Sequence, residues 1–312
     1  MCPSKITVAI STFRKSYFNW VAELLKSLEN QTLKCFDVIV VVSKDIDYGR
    51  KISEFVKSKM DTRRLNVNIV FNYVEKGIAH SRNLALRSAK GPYIAYTDDD
   101  AIPHSCWLEE LLWTLESYRT VAAATGPVEV KFEGGIVGST LQFPRELYWA
   151  IGCTSLDIPR LTPVRNGFGS NLALKRTVAL RCGGFNNAFG YNQKRLIVGE
   201  EPELGIRLIR ANYATLWNPK AIVYHRISRE RLSTKNILMR SFIEGKTKAI
   251  LTEAYGSDIL KPEMGHLGSV VRSLVKSRSP RLRALLALST MAVLGGFAVH
   301  RILRYDLESE PG

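Results

Sequence analysis

A chain of 312 residues with 46% hydrophobic content has enough apolar material to bury a sizeable core in one large domain or two modest ones, which excludes a largely disordered protein. Its five cysteines, Cys2, Cys35, Cys106, Cys153 and Cys182, are scattered, odd in number and without paired zinc-type spacing, so they read as reduced, mostly buried thiols rather than a disulfide framework or a zinc site. The formal net charge of +15 is compatible with nucleic acid, an anionic membrane surface or a plain basic protein, and only its distribution separates these.

In chain order, Met1-Cys2-Pro3-Ser4-Lys5 leads directly into a strand over 6–10, with no apolar stretch of signal-peptide length, so the expected compartment is the cytosol. Trp20, Val21, Leu24, Leu25 and Leu28 then recur at helical spacing. Residues 37–42 form an unbroken β-branched run that predicts a fully buried strand, followed by a helix with Ile52, Phe55 and Val56 on one side. A third strand covers 67–71, a helix 79–89 and a fourth strand 93–97. Trp107, Leu108, Leu111, Leu112 and Leu115 mark another helical face. This βαβ rhythm predicts an α/β fold with a mostly parallel sheet flanked by helices. Between 126 and 171 the rhythm is lost in a stretch rich in Gly, Pro and Thr, which reads as ligand-binding loops. Helical periods return over 172–181, 203–211 and 234–251.

The basic excess is concentrated late in the chain. Residues 226–283 hold 13 Lys/Arg against 5 Asp/Glu, so +8 of the +15 falls in less than a fifth of the length. It precedes an uncharged segment of 16 residues, 284–299, bracketed by Arg281 and Arg283 before and Arg301 and Arg304 after. The expectation is a membrane-associating region, since basic residues beside an apolar helix favour anionic lipid. A span needs roughly 20 residues, which leaves a span, a re-entrant helix and a buried C-terminal helix open. A nucleic-acid surface would interleave its basic residues with aromatics, so no nucleic acid is expected.

Four clusters are candidates to carry chemistry, and a fifth signal is weaker. Asp98-Asp99-Asp100 ends the apolar run Tyr93-Ile94-Ala95-Tyr96. Ligands collect outside the carboxyl ends of strands in open α/β sheets, and adjacent acids repel unless a cation or donors compensate. Oxygen ligands there suit Mg2+ or Mn2+. In Lys76-Gly77-Ile78-Ala79-His80-Ser81-Arg82-Asn83 a glycine opens a helix whose first turns place Arg82 and Asn83 for a phosphate or sugar. Glu200 and Glu201 stand in a loop before a helix that Pro202 starts, where one is a candidate general base. His225 ends a short strand-like run and offers a nitrogen ligand. Gly169-Ser170-Asn171 is a turn that sets small polar groups against a sugar, or merely a turn.

Together these residues resemble the family-2 glycosyltransferases of the GT-A fold over roughly residues 5–227. Val8-Ala9-Ile10-Ser11-Thr12-Phe13-Arg14 is similar to the family's first strand and turn. The stretch from Gly77 to Asn83, with 89–100, is similar to its most specific region, and Gly183-Gly184-Phe185-Asn186 to the turn before its acceptor loop. Gly199-Glu200-Glu201-Pro202-Glu203-Leu204 resembles its acidic catalytic motif, with Glu201 where an Asp is usual and Arg207 on the following helix. The resemblance implies an inverting, metal-dependent hexosyl- or hexuronosyltransferase. Glu201 would be the base with Glu200 beside it. Asp100, Asp98 and His225 would hold Mn2+ or Mg2+, and Ser11, Thr12, Arg14, Lys76, Arg82, Asp98 and Asp99 would bind the nucleotide sugar, with Ser170 and Asn171 in the acceptor or sugar pocket. It favours a UDP-sugar. One departure is that Val42 or Ser43 stands where the family presents an acid to the base or ribose, with Asp45 as a substitute slightly further on.

The implied domains are a GT-A domain over 1–227, with a nucleotide-sugar half about 1–125 and an acceptor half about 126–227, a basic helical region over 228–280, an apolar membrane-associating or transmembrane helix over 281–304 and a tail over 305–312. The expected acceptor is a lipid-linked (dolichyl or polyprenyl) saccharide of protein N-glycosylation or surface polysaccharide assembly, alternatively a polyprenyl monophosphate. The expected location is the cell membrane, with the catalytic domain on the cytoplasmic face. A nucleotidyltransferase would place a Gly-rich loop after its first strand, and Ser11-Thr12-Phe13-Arg14 has no such glycines.

Overall fold

The computed structural model describes residues 4–62, 65–74, 77–133, 143–154, 156–190 and 197–308, with side chains described as far as residue 302. In chain order the elements are β1 (Ile6–Thr12), α1 (Phe18–Glu29), β2 (Phe36–Ser43), α2 (Ile46–Lys59), β3 (Asn66–Asn72), α3 (Gly77–Ser88), β4 (Tyr93–Asp98), β5 (Ala101–Pro103), α4 (Trp107–Ser117) and β6 (Val121–Thr125). They continue with β7 (Val128–Phe132), a 3-10 helix (Arg145–Ile151), β8 (Thr162–Val164), β9 (Leu172–Lys175), α5 (Arg176–Arg181), α6 (Glu200–Arg210), β10 (Ala214–Trp217), β11 (Val223–Ile227), α7 (Thr234–Tyr255), α8 (Lys261–Lys276) and α9 (Pro280–Glu308). Two compact units result. The first holds Met1–Glu129, Leu156–Lys194 and Glu200–His225, and the second Val130–Ser155, Arg195–Gly199 and Arg226–Gly312. Residues 130–133 and 143–154 fall in the second unit with the C-terminal helices.

The first unit is built on an eight-stranded sheet of order β3-β2-β1-β4-β9-β6-β10-β8. β3, β2, β1 and β4 run parallel, as do β6 and β10. β9 lies antiparallel between β4 and β6, and β8 closes the edge antiparallel to β10. The apolar run in β2 is explained by burial on both faces. Val38, Val40 and Val42 face a core with Val21, Leu24, Leu25 and Leu28 of α1, whereas Ile39 and Val41 face a second core with Ala85 and Leu86 of α3. α4 adds Leu108, Leu111, Leu112 and Leu115 to the first core.

Two sequence expectations are corrected here. Residues 172–175 are strand rather than helix: Leu172 and Ala173 pair with Tyr96 and Ala95 of β4, while Leu174 pairs with Ala123 of β6. Three apolar residues and a lysine fit either period, and the two open strand edges decide between them. Glu200 and Glu201 belong to the first turn of α6 rather than to a loop before it, so both acids sit where the helix dipole favours negative charge.

In the second unit α7 and α9 pack side by side. A Cβ on Gly245 would overlap the backbone of Val293, and one on Gly296 the carbonyl of Phe242, so glycine permits the close approach. Ser241 and Ser289 share a buried hydroxyl contact of 2.6 Å. A small core of Leu147, Ala150, Ile237, Val270 and Leu286 joins α8 to this pair and to the 3-10 helix.

Candidate active site

The site is assembled within the first unit at the carboxyl ends of its central strands. β1 and β4 run parallel with Ser11 opposite Asp98, which sets the first strand-end turn beside the acidic triplet. β4 ends at Asp98, the chain turns through Asp99 and Asp100, and β5 pairs antiparallel with β11 so that His225 lies opposite Ala101. That register brings His225 Nε2 to 3.0 Å from Asp100 Oδ1. Asp98, Asp100 and His225 each offer one ligand atom, and these atoms lie within 4.8 Å of one another. Two carboxylates and an imidazole at that spacing are a donor set for a divalent cation such as Mn2+ or Mg2+.

Arg82 organises the acids. Its side chain is 5% exposed, and its guanidinium donates from Nη1 to Glu200 Oε1 at 2.6 Å and to Glu201 Oε1 at 2.8 Å, with Nη2 at 3.4 Å from Asp98 Oδ1. From sequence Arg82 and Asn83 were expected to meet phosphate or sugar. The structure turns both inward instead. Asn83 accepts from the Phe185 N–H at 2.8 Å and donates to its carbonyl at 2.6 Å, fastening the Gly183-Gly184-Phe185 turn beneath the site. Phe185 lies under the guanidinium, 5.7 Å from ring centroid to Cζ.

Three acids around one buried cation leave a negative excess, and the acids respond. Burial, reinforced by the charge of Glu201, pushes Glu200 up to about 7. Burial also raises Asp98, against the opposing charge of Arg82. Asp99 is pushed up to about 8 by burial and by the neighbouring Asp100, and its Oδ2 has no hydrogen-bond partner among the described residues. For Arg82, burial disfavours the charge, but Glu201, Glu200 and Asp98 outweigh it and hold the guanidinium's pKa above its ordinary value. Glu201 is the more open acid of its pair, 15% exposed against 7% for Glu200.

The other expected residues fall at varied places. The Thr12 hydroxyl is buried 3.1 Å from Tyr48 Oη. Arg14 is exposed, donates to Tyr17 Oη at 2.8 Å and lies over the rings of Phe13 and Tyr17. Asp45 caps α2 by accepting from the Tyr48 N–H at 2.8 Å and pairs with Lys15 at 3.1 Å, so its carboxylate is engaged as a helix cap. Lys76 lies outside the described residues. Asn171, expected in the sugar pocket, is fully buried. It accepts from Trp107 Nε1 at 2.8 Å and donates to the carbonyls of Ala221 at 2.7 Å and Pro127 at 3.0 Å. Every side-chain polar atom of Asn171 is thus bound to protein, and it pins loops rather than facing a ligand. Ser170 is likewise buried.

Gly169 was read only as part of a turn. A Cβ there would overlap both Arg82 Nη2 and Glu201 Oε1, so the glycine exists to let the backbone close over the clamp. The sequence signal was the glycine itself, whose contact partners lie far away in the chain.

Residues 7–183 match the family described as Glycosyl transferase family 2. A relative from Haloferax volcanii, glucosyl-dolichyl phosphate glucuronosyltransferase, is 26% identical over 254 residues, covering 80% of this chain and 78% of the relative. The succinoglycan biosynthesis protein ExoM of Rhizobium meliloti is 25% identical over 259 residues, covering 80% and 77%. The solved mannosyltransferase PcManGT from Pyrobaculum calidifontis, in complex with GDP-Man and Mn2+, superimposes with a TM-score of 0.60 at 16% identity, over 99% of this chain and 88% of that one. S. aureus TarS 1–349, in complex with UDP, gives a TM-score of 0.51 at 16% identity, over 97% and 92%. These two likenesses establish the GT-A fold, and with more than half its length matched by the family, the chain belongs to glycosyl transferase family 2.

Proposed function

We propose that the enzyme is an inverting transferase that moves a hexosyl or hexuronosyl group from a nucleotide sugar to an acceptor hydroxyl on a dolichyl- or polyprenyl-linked saccharide. The observation that carries this reading is Glu201, a partly open carboxylate oriented by Arg82 in the same strand-end site as the donor set of Asp98, Asp100 and His225. The Haloferax relative's name, which couples a dolichyl phosphate-linked sugar with glucuronosyl transfer, favours a lipid-linked acceptor. One helix of this chain, Pro280–Ile302, is apolar enough to cross a membrane, which supports attachment to a bilayer where such acceptors reside; the catalytic unit is proposed to lie on the cytoplasmic side.

In the proposed reaction the acceptor oxygen attacks the anomeric carbon, its proton passes to Glu201, and the bond from that carbon to the diphosphate breaks. Arg82 fixes the Glu201 carboxylate toward the acceptor. Glu200, raised to about 7 by burial and by the charge of Glu201, is only partly ionised near neutrality, which leaves more of the guanidinium charge to Glu201 and Asp98. Ser11, Arg14, Asp98 and Asp99 would line the donor side, while Thr12 is buried against Tyr48. A divalent cation held by Asp98, Asp100 and His225 would supply Lewis-acid neutralisation of the departing diphosphate.

Incubation with a panel of UDP- and GDP-sugars and Mn2+ tests the reading, scored by donor hydrolysis and thermal shift. One donor is expected to be hydrolysed, in a manner abolished by chelator, and Asp100→Ala is expected to lose both turnover and the Mn2+-dependent part of donor binding. Full activity in excess chelator would remove the cation. A milder perturbation, Gly169→Ala, forces Arg82 and Glu201 apart and is expected to lower turnover by about 10²-fold with the fold retained by circular dichroism. Unchanged turnover would mean that the clamp geometry is irrelevant to catalysis.

A further inference from the structure

The second unit carries two outward apolar stripes that catalysis does not use. On α8, Met264, Leu267, Val271 and Val275 are exposed at 66%, 40%, 51% and 74% and recur at intervals of three and four, so they occupy one face. Val270 and Leu274 face the protein interior. On α9, Leu288, Met291, Leu294, Val299 and Ile302 are all exposed and fall on a single arc. Ser289, Val293 and Gly296 on the opposite arc lie against α7. Arg272, Lys276, Arg278 and Arg281 are exposed beside these stripes, with no carboxylate partner among the described residues.

Composition alone makes α9 a candidate span, with a mean hydropathy of 1.8 over its most apolar window. Its packing says otherwise. α7 and α9 run side by side from the Ser241 to Ser289 contact, through Gly245 at Val293, to Glu253, which meets His300 at 3.2 Å and Arg301 at 3.6 Å. Over that same length α7 carries Glu244, Lys246, Lys248 and Glu253. Lys248 is buried between Glu244 at 3.0 Å and Glu263 at 2.6 Å. A spanning α9 would take these charges into hydrocarbon or lose the partner that its glycine and serine face is shaped to fit.

We infer that α9 does not cross the bilayer: α8 and α9 lie in the plane of an anionic membrane surface, their apolar stripes entering the acyl boundary and Arg272, Lys276, Arg278 and Arg281 meeting lipid phosphates. This deepens the membrane attachment proposed above and is independent of the donor and acceptor assignments.

The test uses the full chain with sealed phosphatidylcholine vesicles with and without phosphatidylglycerol. Binding is expected to need phosphatidylglycerol and to weaken with salt. Met264→Glu with Val271→Glu in α8, and Met291→Glu with Leu294→Glu in α9, are each expected to reduce vesicle partitioning at least tenfold while donor hydrolysis in solution stays at the wild-type level. Unchanged partitioning in either pair, or a changed oligomeric state in place of lost partitioning, overturns the inference. In sealed membranes from expressing cells, protease is expected to reach an epitope after Gly312 and the catalytic unit from the same side, and alkaline carbonate to release the protein. An epitope protected on the opposite side from the catalytic unit overturns the in-plane arrangement. Absence of donor hydrolysis with vesicle binding intact would strike the proposed reaction alone.

Discussion

Replacing Glu201 by Gln is expected to abolish sugar transfer, by at least the 10²- to 10⁴-fold typical of a lost general base, while donor and Mn2+ binding stay near wild type. The argument rests on what the amide keeps and what it loses. Its oxygen still accepts from Arg82 Nη1, so the contact now at 2.8 Å survives, and Asp98, Asp100 and His225, the proposed cation donors, are untouched. Only the capacity to take a proton is gone. Glu200 is a poor substitute despite its pKa near neutrality, because it is the more buried of the two and its Oε1 is held by Arg82 at 2.6 Å. Single-turnover transfer, measured beside equilibrium donor binding, separates the two effects. Near wild-type transfer in the variant would remove Glu201 from the mechanism. It would point to Glu200 or to a polyprenyl monophosphate acceptor, whose oxygen is already ionised at neutral pH and needs no base.

How much of this could be read from the sequence depends on how local each signal is. The parallel half of the sheet was legible because β2 writes its double burial into an unbroken run of β-branched residues, and because α1 and α4 repeat leucines at helical spacing. β9 was misread because four residues carry too short a period, and its strand identity comes from β4 and β6, contributed by other parts of the chain. The same distinction holds at the site. Asp98 was legible as a strand-end residue with Asp100 just beyond it, but His225, read as ending a strand-like run, sits in the middle of β11, which continues to Ile227, and pairing of β5 with β11 is what brings it beside Asp100. The role of Arg82 was not legible. A cation on the first turns of a helix signals an anion, but sequence does not say whether that anion is a ligand phosphate or the protein's own carboxylates 118 and 119 residues away. Asn171 shows the converse: a polar residue in a glycine turn invites a ligand reading, yet its partners are an indole and two carbonyls.

The second large effect is expected from Arg82→Met. The side chain matches in bulk but leaves Glu200, Glu201 and Asp98 facing one another without their cation, and removal of one member of a buried ionic cluster typically destabilises by about 3–5 kcal/mol. The pH dependence identifies the cause. Glu200 ionises near its ordinary 4.5 in the unfolded chain but near 7 in the native protein. Between those values the unfolded state releases a proton that the native state retains, so wild-type stability contributed by this group falls as pH rises through that window. Without the guanidinium that opposes the burial penalty, native Glu200 stays protonated to still higher pH, and the window widens upward. Urea unfolding at pH 5 and pH 8 is therefore expected to show a larger deficit for Arg82→Met at pH 8. Glu200→Gln in the same background, which removes the titrating group, should recover much of that difference without restoring transfer. Equal deficits at both pH values would mean that Arg82 serves by packing over Phe185 rather than by balancing the acids. In that case the orientation of Glu201 would have to come from elsewhere in the loop that Gly169 closes.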